Sequence, residues 1–289
     1  MKKYYVSLLA LGDNLISLSL LEQLDSKVNI LGTKHTLNIA RLINIENKLN
    51  IKIVFEDIPA FYDIKKQGIF KSLIDFYKFI NFIKKNDIDE LVFEKEDFRT
   101  ALIAFFTKIK ISTPNIQNSK IYSNRKELIE NIYHKKTNLN NYNLQLKNPR
   151  IIVINPLTRV ELKNINKDEL HYLLKLLKSK NYEIYLIDIE KKYQEFQDNV
   201  THYLTNTTLS DVKQLIGKCD LYIGGDSFLI HLAYYLKRNY FIFFYRDNDD
   251  FLPPNIAEDF YIKVYETDTI KDKIKQKFIN MELIDDNSN

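Results

Sequence analysis

Three short stretches of this sequence gather residues able to do chemistry. In the first, Leu11, Gly12, Asp13 and Asn14 stand between an apolar run and a leucine-rich one. A glycine lets the backbone turn there and leaves room for a substrate. A carboxylate just beyond it lies at the positive end of a helix dipole, where it can accept a proton. Asp13 is therefore a candidate general base, and the plainer reading is that it only caps the helix. No dinucleotide fingerprint is present, because the later glycines of G-x-G-x-x-G are missing.

The second stretch is Gly224, Gly225, Asp226, Ser227 and Phe228, with His231 about one helical turn after Ser227. Two glycines that end a strand and open a helix leave N–H groups free to cradle a phosphate. By itself Asp226 is also a plain N-cap, and His231 a hydrogen-bonded core histidine. The third stretch is the loop from Asn155 and Pro156 to Lys163. Its Thr158, Arg159 and Lys163 offer a hydroxyl and two cations, a set that suits a diphosphate and equally suits solvent. The acidic run DNDD at 247–250, next to Pro253 and Pro254, has the look of a metal motif but the setting of a surface loop.

Glycine scarcity sharpens this choice. The 289 residues hold only six glycines, where about 20 would be usual at ~7%. A composition that has shed glycine keeps it mostly where backbone geometry demands it. Gly12, Gly224 and Gly225 all lie at strand-to-helix junctions, so those junctions are the places to read for function.

The remaining composition narrows the class. At 45% hydrophobic and 28% charged residues the chain is globular, and its length suits two domains. Its 42 Lys and Arg against 38 Asp and Glu give +4, which fits an anionic ligand or membrane surface better than nucleic acid. The single cysteine, Cys219, excludes a disulfide framework and a multi-cysteine metal site. No apolar run reaches the ~18 residues that span a bilayer. The apolar start, interrupted by Asp13 and Asn14, reads as a buried strand and helix of a cytoplasmic protein rather than a signal peptide.

The elements that must position these residues alternate. Strands are expected at 3–9, 27–32, 51–56 and 89–94, with helices at about 15–24 (opened by Asp13), 35–43, 70–85 and 97–109. An Asn-rich, polar stretch at 135–150 reads as a linker. Strands at 150–155, 182–188, 219–225 and 240–245 then alternate with helices at 167–179, 209–218 (with Ser210 as its cap), 227–237 and 267–281. The expected layout is an α/β amino-terminal domain over 1–140, a second over 150–266, and a closing helix and tail over 267–289. Such pairs of parallel-sheet domains commonly bind ligand at strand carboxyl ends.

On these residues the chain resembles the bacterial heptosyltransferases, glycosyltransferase family 9. The stretch 209–244 is similar to that family's D-L-hydrophobic-hydrophobic-G-x-D-S-G-x-x-H-L-A signature. Asp220, Gly224, Asp226, Ser227, His231, Leu232 and Ala233 match it. Gly12 and Asp13 resemble the family's G-D opening, and the loop from Asn155 to Lys163 its N/H-P-G…S-K loop. The departures are Phe228 and Leu157 for two family glycines, Ser19 for a helix proline, and Arg246, Asp247 and Asn248 for Gly-Pro-Thr.

The resemblance implies a GT-B fold: two Rossmann-like domains whose parallel sheets face a central cleft. It implies an inverting transfer of heptose or hexose from a nucleotide-sugar donor to a lipopolysaccharide-type, lipid-linked acceptor, with neither metal nor other cofactor. Asp13 becomes the base, with Gly12 and Asn14 on the acceptor side. Thr158, Arg159, Lys163, Gly225, Asp226, Ser227, Phe228 and His231 become the donor site, in which Asp226 holds hydroxyls. ADP-heptose, UDP-hexoses and GDP-hexoses all stay open as donors. The expected location is the cytoplasmic face of the inner membrane, held peripherally. The basic, aromatic stretch 61–85, with Lys65, Lys66, Lys71, Lys78, Lys84 and Lys85, is the expected contact. A catalytically silent GT-B protein that binds a glycan or partner is the alternative, supported by Phe228. A nucleotide-sugar epimerase is a third reading, for which no acid/base constellation is found.

Overall fold

The computed structural model describes residues 2–114, 120–139, 144–246, 249–264 and 270–286. Residues 140–143 of the expected linker, Asp247 and Asn248 of the DNDD run, the first three residues of the expected closing helix, and 287–289 lie outside the described residues. The chain divides into two compact units, Met1–Leu139 and Asn140–Asn289.

Runs such as KYYVS are apolar on both sides, so their strands are stable only inside a sheet covered on both faces. The first unit builds one from β1 (Lys3–Ser7), β2 (Val28–Thr33), β3 (Leu49–Phe55), β4 (Glu90–Phe93) and β5 (Lys110–Ser112). Its order is β3-β2-β1-β4-β5 and every pairing is parallel. Tyr5 on the central strand lies in register with Ile30 and with Val92. The helices are α1 (Leu11–Leu21), α2 (Lys34–Leu42), the short α3 (Ile64–Gln67), α4 (Ile69–Lys85), α5 (Phe98–Thr107) and α6 (Ile121–Tyr133). Leu15, Leu18, Leu21 and Leu24 are buried at their helical spacing.

The second unit repeats the design with β6 (Ile151–Asn155), β7 (Glu183–Ile187), β8 (His202–Leu204), β9 (Leu221–Gly225), β10 (Asn239–Phe244) and β11 (Tyr261–Lys263). Their order is β11-β10-β9-β6-β7-β8, again all parallel. Helices α7 (Lys167–Leu177), α8 (Leu209–Lys218), α9 (Phe228–Tyr235) and α10 (Ile270–Asn280) complete it. The closing helix belongs to this core: Phe278 is fully buried, with its ring edge-on to Phe241 at 5.3 Å.

Several local expectations are corrected. β1 ends at Ser7, two residues early, because Leu9 and Ala10 already turn the chain into α1. Ala10 is the N-cap of α1, and Asp13 is inside its first turn rather than capping it. Thr208, not Ser210, caps α8, in a reciprocal pair with Asp211. The described ends of the expected linker are also not free. Thr137 is buried against Glu130, and Asn138 bonds Gln23 in the first unit. Leu144 and Leu146 pack on the second core, where the Gln145 N–H donates to Asn239.

Candidate functional site

In the first unit the chemistry gathers around the start of α1. Asp13 is partly exposed there, about a quarter of its side chain reaching solvent, and the Arg125 guanidinium from α6 lies 3.9 Å from its carboxylate. Arg125 is itself buried and turns mainly to Glu94, just past the end of β4. It pairs with the Glu94 carboxylate at 3.1 Å and donates to the Glu94 backbone carbonyl. Ser17 on α1 donates to the same carboxylate at 2.5 Å and Tyr5 on β1 at 3.1 Å.

Four elements thus meet on one buried carboxyl. Burial pushes Glu94 above the usual carboxylate range; Arg125 opposes this and the charge of Asp13 adds to it. Burial likewise pushes Tyr5 upward, so it stays a neutral donor. Asp13 is the one acid of this group open to solvent, and its neighbours are fixed from behind.

The expected acceptor-side role of Asn14 does not fit its place. Asn14 is fully buried; its amide donates to the Leu9 carbonyl at 3.1 Å and its oxygen accepts from Ser7. It holds the strand-to-helix turn and has no surface to offer a ligand. Gly12 is helical, in the first turn before Asp13, and partly exposed.

In the second unit the loop after β6 is built rather than loose. The Leu157 N–H donates to the Asn155 side chain at 2.9 Å, the Thr158 N–H to the Asn164 side chain at 2.7 Å, and the Ile165 N–H to the Pro156 carbonyl at 3.0 Å. Tyr245 reaches over from the end of β10 and donates to the Asn164 carbonyl at 2.9 Å. The loop lies directly on Gly225. A Cβ there would come within 2.6 Å of the Lys163 carbonyl oxygen and 2.7 Å of the Thr158 methyl. Gly225 is therefore demanded by a close backbone approach, as its retention in a glycine-poor chain suggests.

That approach brings the Lys163 ammonium 2.6 Å from Asp226, and the Arg246 guanidinium is 2.8 Å from the same oxygen. Burial alone would raise the Asp226 carboxyl. The hydrogen bond and charge of Lys163, followed by the charges of Arg246 and His231, hold it below the usual range. Ser227 is the N-cap of α9, in extended conformation, and its hydroxyl makes no capping bond. Asp226 is thus not the cap. His231 is buried one turn into the helix, close enough to act on Asp226.

Phe228, the first residue of α9, is partly exposed, and Thr158 spends its hydroxyl on the Val160 carbonyl at 2.7 Å. Arg159 points into solvent and is not brought to this group. The structure therefore assembles Lys163, Gly225, Asp226, Ser227, Phe228 and His231 at one strand end, with Thr158 as loop support.

Three residues of these sites went unread. Arg246 follows the last long apolar strand and stacks on Phe251 at 3.6 Å; its place at a strand's carboxyl end was the available signal. Glu94 likewise ends the run DELVFE. Arg125 carried none, because it takes an apolar position on the buried stripe of Ile121, Tyr122, Leu128 and Ile129 and reads there as a solvated charge. Among the described residues no group of three His, Cys, Asp or Glu is placed to hold a metal ion.

Two parallel α/β units, each with its polar cluster at the strand carboxyl ends, make up a GT-B fold. The family model described as Glycosyltransferase family 9 (heptosyltransferase) matches residues 123–279, over half of the chain, and the chain belongs to that family. A comparison with curated proteins finds no match.

Solved structures share the fold. A family 9 glycosyltransferase from Veillonella parvula is 13% identical over 95% of this chain and 89% of its own, with TM-score 0.63. The E. coli heptosyltransferase WaaC, solved with ADP-2-deoxy-2-fluoro heptose, is 15% identical over 98% and 100%, with TM-score 0.62. A UDP-GlcNAc 2-epimerase from Neisseria meningitidis, bound to UDP-GlcNAc, is 14% identical over 98% and 91%, with TM-score 0.55.

Proposed function

We propose that this glycosyltransferase moves a heptose or hexose from a nucleotide-sugar donor to a lipid-linked saccharide, with inversion and without a metal ion. The observation that carries the reading is the convergence of two cations, Lys163 and Arg246, on the single carboxylate of Asp226 before α9. One positive charge is left over beside the N–H groups of a helix start, which suits a diphosphate. The ADP-sugar bound to WaaC makes ADP-heptose the first donor to try.

In this reading an acceptor hydroxyl attacks the anomeric carbon while Asp13 takes its proton. The bond from that carbon to the diphosphate oxygen breaks, and its electron pair leaves on the nucleotide. Lys163 and Arg246 answer the charge that develops there, work otherwise done by a divalent cation. Asp226 orients both cations and, with its second oxygen, can accept from sugar hydroxyls. The lipid-linked acceptor places the working protein at a membrane, in peripheral contact.

A thermal-shift screen with ADP-, GDP-, UDP- and CMP-sugars in excess EDTA tests this. A bound ligand at a hundred times its Kd adds about 2.7 kcal/mol of stability, so one nucleotude class should raise the melting temperature and then support turnover. Stabilisation that appears only when Mg²⁺ is restored would reject the metal-independent reading. Binding without turnover would favour the silent, glycan-binding alternative, to which Phe228 at the start of α9 lends its bulk.

A further inference from the structure

We infer that α4 and α5 together form a docking face for an anionic lipid bilayer. Among the described residues, ten of the fourteen large apolar side chains that remain exposed fall between Ile64 and Phe106. They are ordered, not scattered. On α4, Ile69, Phe70, Leu73, Ile74 and Tyr77 recur at helical spacing; on α5, Phe98, Leu102, Phe105 and Phe106 do the same. Phe70 is 86% exposed and Phe105 75%.

Both helices already bury another side against the sheet, through Phe79, Ile80 and Ile83 on α4 and Ile103 on α5. A helix apolar on two sides has a second surface still to cover. Phe76 and Phe106 meet edge-to-face at 6.1 Å, so the two exposed stripes adjoin and make one patch. Soluble proteins rarely leave so large an apolar patch in water unless something binds it.

Charge identifies what binds. Residues 61–85 carry six lysines and two aspartates, an excess of four, which equals the net charge of the whole chain. Those lysines lie on α3 and α4, beside the apolar stripe of α4. A second copy of the same face would set lysines against lysines. An anionic bilayer takes both features, lysines at the headgroups and Phe and Tyr rings at the interface. The α5 stripe lies outside the stretch that sequence patterning marks as the contact. No helix among the described residues is long and apolar enough to cross a membrane, so the face would dock on the surface. The inference concerns this face alone and holds whatever sugar is transferred.

Vesicle flotation tests it, with phosphatidylcholine alone and with added phosphatidylglycerol, at low and high salt. The protein should float with the anionic vesicles, less so as salt rises. Phe70→Glu with Phe105→Glu should abolish flotation. Lys65→Glu with Lys66→Glu should weaken it roughly tenfold or more. All four side chains are exposed, so melting temperature and nucleotide-sugar binding should stay as in the wild type. This separates failure of the docking face from failure of the proposed donor. Absence of flotation at low salt, or flotation of the phenylalanine variant like wild type, would overturn the inference. So would a dimer in sedimentation velocity that the phenylalanine variant dissolves while vesicles go unbound.

Discussion

Asp13 and Lys163 have opposite surroundings, and their expected substitution effects differ for that reason. Asp13 keeps part of its carboxylate in solvent and has one distant cation, Arg125 at 3.9 Å. A side chain so lightly engaged contributes little to the fold and is available to take a proton. Asp13→Asn keeps its size, so turnover should fall about 10²-fold or more with donor affinity nearly unchanged. Steady-state kinetics beside calorimetric titration of the donor would check this, and turnover within a few-fold of wild type would remove Asp13 as the base. Lys163 is instead held by Asp226 at 2.6 Å and mostly shielded from water. Lys163→Ala should weaken nucleotide-sugar binding by about 1.5–3 kcal/mol, the worth of a hydrogen bond to a charged group. Unchanged affinity in the same titration would move the diphosphate elsewhere.

At the scale of elements, what was legible depended on how far apart in sequence the interacting groups lie. The junctions β1–α1 and β9–α9 announced themselves because a glycine-poor chain keeps Gly12, Gly224 and Gly225 there. The long apolar strands and α4 were equally plain. β5, β8 and β11 were not, since each has three residues and lies at or next to a sheet edge, too short to show a period. α6 was missed because its buried Ile121, Tyr122, Leu128 and Ile129 are diluted by charge. With it went Arg125, whose partner Glu94 is 31 positions away.

That pair fastens α6 to the end of β4 and to α1, and it has a pH signature. The Glu94 carboxyl is raised in the folded state by burial. The stability it contributes is therefore full below its unfolded value of about 4.3 and is lost as pH rises through the folded value. Arg125 limits that loss. Arg125→Ala should destabilise the protein by about 3–5 kcal/mol near neutrality, by leaving a buried carboxylate unpaired. The deficit should shrink as pH falls through the raised folded value of Glu94, which lies above about 4.3, because the carboxyl is then protonated. Urea denaturation at several pH values would show this; a deficit independent of pH would mean Arg125 acts only by filling space.

For the whole molecule, division into two units with separate cores puts the proposed base and the proposed donor site in different parts of the chain. Each unit has its own parallel sheet, its own helices and a buried cluster of its own. Lys163, Asp226, Arg246 and the start of α9 all belong to the second, and Asp13 with Arg125 and Glu94 to the first. A 150-residue unit with a covered six-stranded sheet is large enough to fold alone. Residues 140–289 expressed alone should therefore give a cooperative thermal transition and bind the donor nucleotide within roughly tenfold of the full chain's affinity, a loss of about 1.4 kcal/mol. The fragment should show no transfer, having no Asp13. Calorimetry of the fragment against the nucleotide makes the measurement. A folded fragment that binds no nucleotide would mean that the donor site needs residues of the first unit, and the assignment of donor recognition to Lys163, Arg246 and α9 would fall with it.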